Sequence, residues 1–179
     1  AQGRILILRE GRQQAELWDS NDWRPIPLDV SSFSTAADSS PALSVIGAIF
    51  VPQTQWLITW HNREPDNQRV ARWDSETGKF DRWLAQGLRK GRDSAAKMGP
   101  TSLGESVEQV VASADGTWLF ARTAAKRVWA WHESTGFERV PQADGWVLSM
   151  ALSTATDGSV LVLAGEQGQV QRWMLGSSG

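Results

Sequence analysis

Apolar residues along this chain come in short runs separated by polar turns, without the three-and-four spacing of a long amphipathic helix. The runs "RILIL" (4–8), "WLITW" (56–60), "WLFAR" (118–122) and "VLVLAG" (160–165) are rich in β-formers and too short for helices. A second series, "LSVIGAIFV" (43–51), "VEQVVAS" (107–113) and "WVLSMALS" (146–153), stands upstream of three of them. Asp-Gly joins the two series in "ADGT" (114–117) and "TDGS" (156–159). Between apolar runs that pair marks a hairpin, because glycine accepts the positive φ the turn demands. The one helix candidate, "SAAKM" (94–98), is short.

The chain also repeats itself. "RVARWDSETGKFDRWL" (69–84) returns as "KRVWAWHESTGFERV" (126–140). Both carry an anchor, x-Val-x-x-Trp, at Val70–Trp73 and Val128–Trp131, and a third copy stands at Val170–Trp173. "QAELWD" places Ala15 and Trp18 in the same slots. The shortest step between anchors, Trp131 to Trp173, is 42 residues, the length of four strands with tight turns, and the longer steps carry extra loop. After the anchors come polar turns, "SNDW" (20–23), "SETGK" (75–79) and "ESTGF" (133–137), and then a last strand, "RPIPL" (24–28), "FDRWL" (80–84) or "FERV" (137–140). The grammar is a-b-c-d. It predicts b-c-d, a-b-c-d, a-b-c-d and a-b-c over units 4–28, 43–84, 107–140 and 146–175, with inserts at 29–42 and 85–106.

Repeating four-stranded antiparallel units with these residues resemble the WD-repeat β-propeller family. "LWD" (17–19) and "RWD" (72–74) match its closing Trp-Asp, and the Asp-Gly turns match its first hairpin. The resemblance implies an all-β propeller of about four blades, the first and last incomplete; a sandwich or another barrel is the alternative. The repeats are degenerate. The family's Gly-His pair before strand a is missing, so its buried Asp–His–Ser/Thr–Trp network is not expected, and His132 and Met174 replace Asp after two of the tryptophans. The first unit lacks strand a, the last lacks strand d, and "LGSSG" (175–179) cannot supply one. The expectation is a fragment of a longer protein, or a ring completed by further blades from an oligomer.

Charge and composition narrow the function. Lys and Arg total 18 against 20 Asp and Glu, a net charge of −2 that gives no global pull toward nucleic acid or an anionic membrane. No apolar run approaches the roughly 20 residues of a membrane helix. Without cysteine there are no disulfides, thiolate metal sites or cysteine nucleophiles, although this leaves the compartment open; a cytoplasmic location is the expectation. The 11 tryptophans, with no tyrosine, read mainly as core packing between wide flat surfaces. Trp18, Trp73, Trp131 and Trp173 are the expected structural anchors.

No constellation for catalysis stands out. The two histidines are His61 and His132; the latter fills a turn slot at the end of strand c. One histidine beside Glu64 and Asp66 is a thin basis for a metal site. There is no phosphate-binding G-x-x-x-x-G-K-[ST], and "GEQGQ" (165–169) precedes a strand, as a hairpin turn does. The expectation is a non-enzymatic module with no cofactor, metal or catalytic residue.

Alternating strands put the b–c and d–a connections on one face, and the long segments all fall there: 29–41, 61–68 and 85–106. Long loops in compact domains are frequently functional. Arg89, Lys90, Arg92 and Lys97 form a basic cluster in the longest, and His61, Arg63 and Glu64 lie in the b–c segment. These seven are the candidate contacts for a protein partner with an acidic surface. Nucleic acid is disfavoured because the loop has no interleaved aromatics. The alternative is a glycan-recognition propeller that stacks sugar rings on exposed Trp23 or Trp146.

Overall fold

The computed structural model describes residues 3–9, 14–29, 45–61, 70–84, 106–113, 116–132, 136–155 and 158–175; the candidate helix 94–98 lies outside them. Fourteen strands form four antiparallel sheets, each in chain order. Sheet 1 holds β1 (Arg4–Arg9), β2 (Gln14–Asp19) and β3 (Arg24–Ile26). Sheet 2 holds β4 (Val45–Phe50), β5 (Trp56–His61), β6 (Val70–Asp74) and β7 (Phe80–Trp83). Sheet 3 holds β8 (Val107–Ala112), β9 (Trp118–Thr123), β10 (Val128–His132) and β11 (Gly136–Arg139). Sheet 4 holds β12 (Val147–Ala155), β13 (Gly158–Gly165) and β14 (Val170–Leu175). This is the expected b-c-d, a-b-c-d, a-b-c-d, a-b-c. β3 is shorter than the sequence suggests because Pro25 and Pro27 have no N–H to give a ladder. A 3₁₀ turn, Pro141–Ala143, was not foreseen; it carries fully buried Ala143 into the core.

The anchor tryptophans share one register. Trp18 stands opposite Ile5, Trp73 opposite Leu57, Trp131 opposite Leu119 and Trp173 opposite Leu161. Side chains alternate across a strand, so every anchor faces the same way along the stack. Trp73 packs on Leu17, Leu6 and Ile26 of sheet 1. Trp131 shares a core cluster with Ile58, Trp60 and Val70 of sheet 2, and Trp173 packs against the cluster that holds Phe120 and Val128 of sheet 3. In sheets 2 and 3 the tryptophan thus lies in the joint with the preceding sheet and the anchor valine in the joint with the following one. The aspartate of the Trp-Asp pair closes the turn that follows. Asp74 Oδ1 accepts the backbone N–H groups of Glu76 (2.9 Å) and Thr77 (2.8 Å), and Asp19 Oδ1 accepts that of Asn21 (2.9 Å). A carboxylate in this position mimics a backbone turn.

The inner strands hold the stack together. β4 touches β8, and β8 touches β12. All three carry a β-bulge at the same place, after Val45, Val107 and Val147, which displaces Ile46, Glu108 and Leu148 to exposed positions. Bulges sharpen local twist, and their repetition bends successive sheets alike. At Gly47, just past the first bulge, a Cβ would lie 2.0 Å from the Trp60 ring, so only glycine lets that ring close over the strand. Between sheets 3 and 4 the amide of Gln109 acts as a strand would. Its Nε2 donates to the Met150 carbonyl at 2.9 Å and its Oε1 accepts the Met150 N–H at 3.0 Å.

Inside the joint between sheets 1 and 2 lies a polar chain of three fully buried residues. Trp73 Nε1 donates to Thr59 Oγ1 at 2.8 Å, and that hydroxyl lies 2.8 Å from His61 Nε2. The hydroxyl accepts from the indole and at the same time pairs with Nε2 of the neutral ring. A Trp–Thr–His part of the four-member network that was not expected is therefore present: the histidine comes from the end of β5, two residues after Thr59 on the same face, and not from the segment before strand a. Burial pushes its pKa from 6.5 down to about 4. Sheet 3 lacks the chain because Ala121 takes the place of Thr59, and buried Trp131 Nε1 has no partner among the described residues.

Two expectations follow. Thr59→Ala, which strands two buried groups, should cost about 1–3 kcal/mol in urea denaturation, while Ala121→Ser, which offers Trp131 an acceptor, should add about 1 kcal/mol. Because His61 binds a proton less readily folded than unfolded, its contribution is fully present above pH 6.5 and is lost as pH falls toward 4, by about 3 kcal/mol in all. Denaturation midpoints across that range should show the decline, and His61→Gln should flatten it.

Candidate interaction surface

The strand ends fix where the long loops start and stop. Val45, which closes the first, pairs with His61, which opens the second. Val70, which closes the second, pairs with Trp60, and its carbonyl accepts the N–H of Leu84 (2.8 Å), where the third begins. The third returns at Ser106, whose carbonyl accepts the N–H of Ala124 in the b–c turn of sheet 3 (2.9 Å). These roots therefore sit at the b–c end of the sheets, whereas Asp29, where the first loop starts, donates its N–H to the Gly78 carbonyl (2.9 Å) in the c–d turn of sheet 2, at the other end. Arg63, Glu64, Arg89, Lys90, Arg92 and Lys97 lie outside the described residues. His61 does not join them as a contact: its ring is fully buried, edge-on to Trp83 with centroids 5.7 Å apart. The strand-like alternation of "WLITWH" puts Thr59 and His61 on one face and was the signal for this placement.

At the opposite end are the short turns. A recess of about 310 Å³ lies there among Pro52, Gln53, Ser113, Leu152, Ser153 and Ser159, where the inner strands of sheets 2, 3 and 4 end. Its described lining offers hydroxyls and no titratable group. Among the described residues, no three His, Cys, Asp or Glu side chains cluster as a metal site requires. Charged groups instead form pairs within the structure. Arg72, largely buried, meets Asp81 at 2.6 Å and lies 4.3 Å over the Trp56 ring. His132 packs against Trp118, with centroids 4.9 Å apart, as a strand-end residue.

Trp23 is the exception at this end. It stands five residues after Trp18, as Gly78 stands after Trp73 and Gly136 after Trp131. All three have positive φ: 54° at Trp23, 71° at Gly78 and 76° at Gly136. A left-handed backbone strains any residue with a Cβ, and an aromatic one most visibly. Yet Trp23 is 65% exposed, so no packing compensates it. Trp146, the other tryptophan singled out from the sequence, is half-buried, donates to the Gln142 carbonyl (3.1 Å) and packs on the joint between sheets 3 and 4. Aligning the turns on the anchors would have shown Trp23 in a glycine slot.

No protein-family model matches the sequence, and no curated protein is significantly similar to it. Solved structures are similar in fold. The Myceliophteria thermophila Cps50 (Swd1) β-propeller domain aligns with 99% of this chain and 52% of its own length, at a TM-score of 0.60 and 14% identity. The computationally designed Ika8 protein aligns with 98% of this chain and 44% of its own, at 0.55 and 14%. A chain of a mitotic checkpoint complex aligns with 91% and 44%, at 0.54 and 16%. This chain spans about half the length of each. No helix among the described residues is long and apolar enough to cross a membrane. The chain is all-β, its described residues form four propeller-type sheets that do not close a ring, and its WD-repeat character rests on the sequence motifs alone.

Proposed function

We propose that this chain is a non-enzymatic interaction scaffold, a rigid sheet stack of WD-repeat type that presents its long loops to a protein partner in the cytoplasm. One observation carries the reading: both roots of the second and third loops, and the return of the first at Val45, sit at the same end of the sheets. Loops held on a rigid frame are the usual place for recognition. Arg89, Lys90, Arg92 and Lys97 select an acidic surface, and Arg63 and Glu64 of the b–c segment are further candidate contacts. A structural neighbour that is part of a multiprotein complex supports the reading by analogy of fold. Deleting residues 87–104 should leave the denaturation midpoint unchanged and weaken partner capture. Capture by the intact chain should fall with added salt, since exposed charges are screened beyond about 8 Å at physiological ionic strength. Unfolding on deletion would make the loop structural, and undiminished capture would place the contact elsewhere.

A second reading is favoured by Trp23. An exposed aromatic held in a strained turn, beside the ion-paired Asp22 and Arg24, is a platform on which a sugar ring can stack. Trp23→Gly should then stabilise the fold by about 1 kcal/mol, by relieving the left-handed strain, and abolish any glycan-induced change in tryptophan fluorescence. A change that survives in the variant would remove Trp23 from that role.

A further inference from the structure

The recess of about 310 Å³ at the short-turn end takes its walls from three sheets. Pro52 and Gln53 come from the a–b turn of sheet 2, Ala112 and Ser113 from the end of β8, and Leu152, Ser153 and Ser159 from the a–b hairpin of sheet 4. The Ser113 hydroxyl is committed to the fold: it accepts the N–H of Trp118 at 2.9 Å and donates to that residue's carbonyl at 3.3 Å. The Gln53 amide and the Ser153 and Ser159 hydroxyls have no partner among the described residues. Gln53 also has an unusual backbone. It is the second central residue of the turn Val51–Thr54, which the Thr54 N–H closes on the Val51 carbonyl at 3.4 Å, and its φ is 57°. A proline followed by a positive φ is the pattern of a type II turn, which takes glycine or asparagine in that second place. Gln53 is exposed, so packing does not offset the strain. Strain of this sort gathers at ligand clamps.

We propose that this recess binds one ring of a neutral sugar, with the Gln53 amide as its clamp and the Ser159 hydroxyl as a second contact. Size, chemistry and charge each support that class. The volume sits at the low end of small-molecule sites, about 300–1,000 Å³, which suits a single ring and not a length of peptide. An amide and a hydroxyl both donate and accept, and the hydroxyls of a sugar do the same in return. Pro52, Ala112 and Leu152 offer an apolar wall to the C–H face of the ring. No described lining residue is charged, and the adjoining turn stretches 114–117 and 154–158 hold Asp115 and Asp157 but no Lys or Arg, which disfavours an anion. The site lies at the opposite end from the roots of the second and third loops, and no tryptophan lines it, so it is separate from both readings above.

The test is saturation-transfer NMR and calorimetric titration of the full chain with glucose, galactose, mannose and N-acetylglucosamine, beside the charged analogues glucuronate and glucosamine. At least one neutral sugar should bind saturably, and the charged analogues about tenfold or more weaker, because the recess meets a charge with no counter-charge. Gln53→Gly should weaken binding about tenfold and yet raise the denaturation midpoint, since glycine accepts the left-handed backbone. A residue kept only for the fold would not show both effects. Ser159→Ala should weaken binding with the midpoint unchanged. Trp23→Gly and deletion of 87–104 should leave binding as it is. No saturable binding by any neutral sugar overturns the proposal, as does tighter binding of a charged analogue. Binding that survives Gln53→Gly undiminished refutes the clamp, and binding lost in Trp23→Gly or in the deletion moves the sugar out of the recess.

Discussion

Each sheet of this protein is apolar on both faces, and a sheet cannot bury either face by itself. Stacking is the one way out, and it governs everything else in the fold. The anchor tryptophan and anchor valine sit three residues apart, an odd spacing that sends them to opposite faces of one strand. One short phrase therefore writes both halves of a joint, the tryptophan for the sheet behind and the valine for the sheet ahead. Stability in such a stack grows with each neighbour contact, as in other quasi-one-dimensional proteins.

The joints differ in how they meet the polar groups they bury, as the handling of the indole N–H shows. In sheet 2, Thr59 and His61 take it up. In the outer sheets, Trp18 donates to Glu16 and Trp173 to Gln171, both at 3.2 Å and both two residues away on the same face. Sheet 3 alone leaves its anchor without a described acceptor. The repeat thus keeps the large ring constant and lets the small polar partner drift, because ring packing outweighs one hydrogen bond of about 1 kcal/mol.

Much of this was legible beforehand. The strand order, the four sheets and the equivalence of the anchors follow from a phrase that keeps its internal spacing while the intervening loops vary. The buried His61 was missed because its neighbours Glu64 and Asp66 drew it toward the loop, although its spacing from Thr59 already placed it on a strand face. The Gln109 bridge was not readable, since it depends on how far apart β8 and β12 settle. The Pro141–Ala143 turn was hidden inside what looked like a plain connection. The candidate contact surface was legible only as a direction: strand alternation sends the loops to one end, but it says nothing about what their side chains meet.

The bulges on β4, β8 and β12 leave one side chain per sheet out of the ladder's alternation: Ile46, Glu108 and Leu148. Folding constrains the backbone at these positions and hardly constrains the residue, which is why an acid and two aliphatics occupy equivalent places. Such a series is neutral ground for mutation. Descendants of this sequence could change its chemistry at Ile46 and Leu148 one sheet at a time, at little risk to the fold, whereas Glu108 is tied by an ion pair at 2.5 Å to the largely buried Arg122.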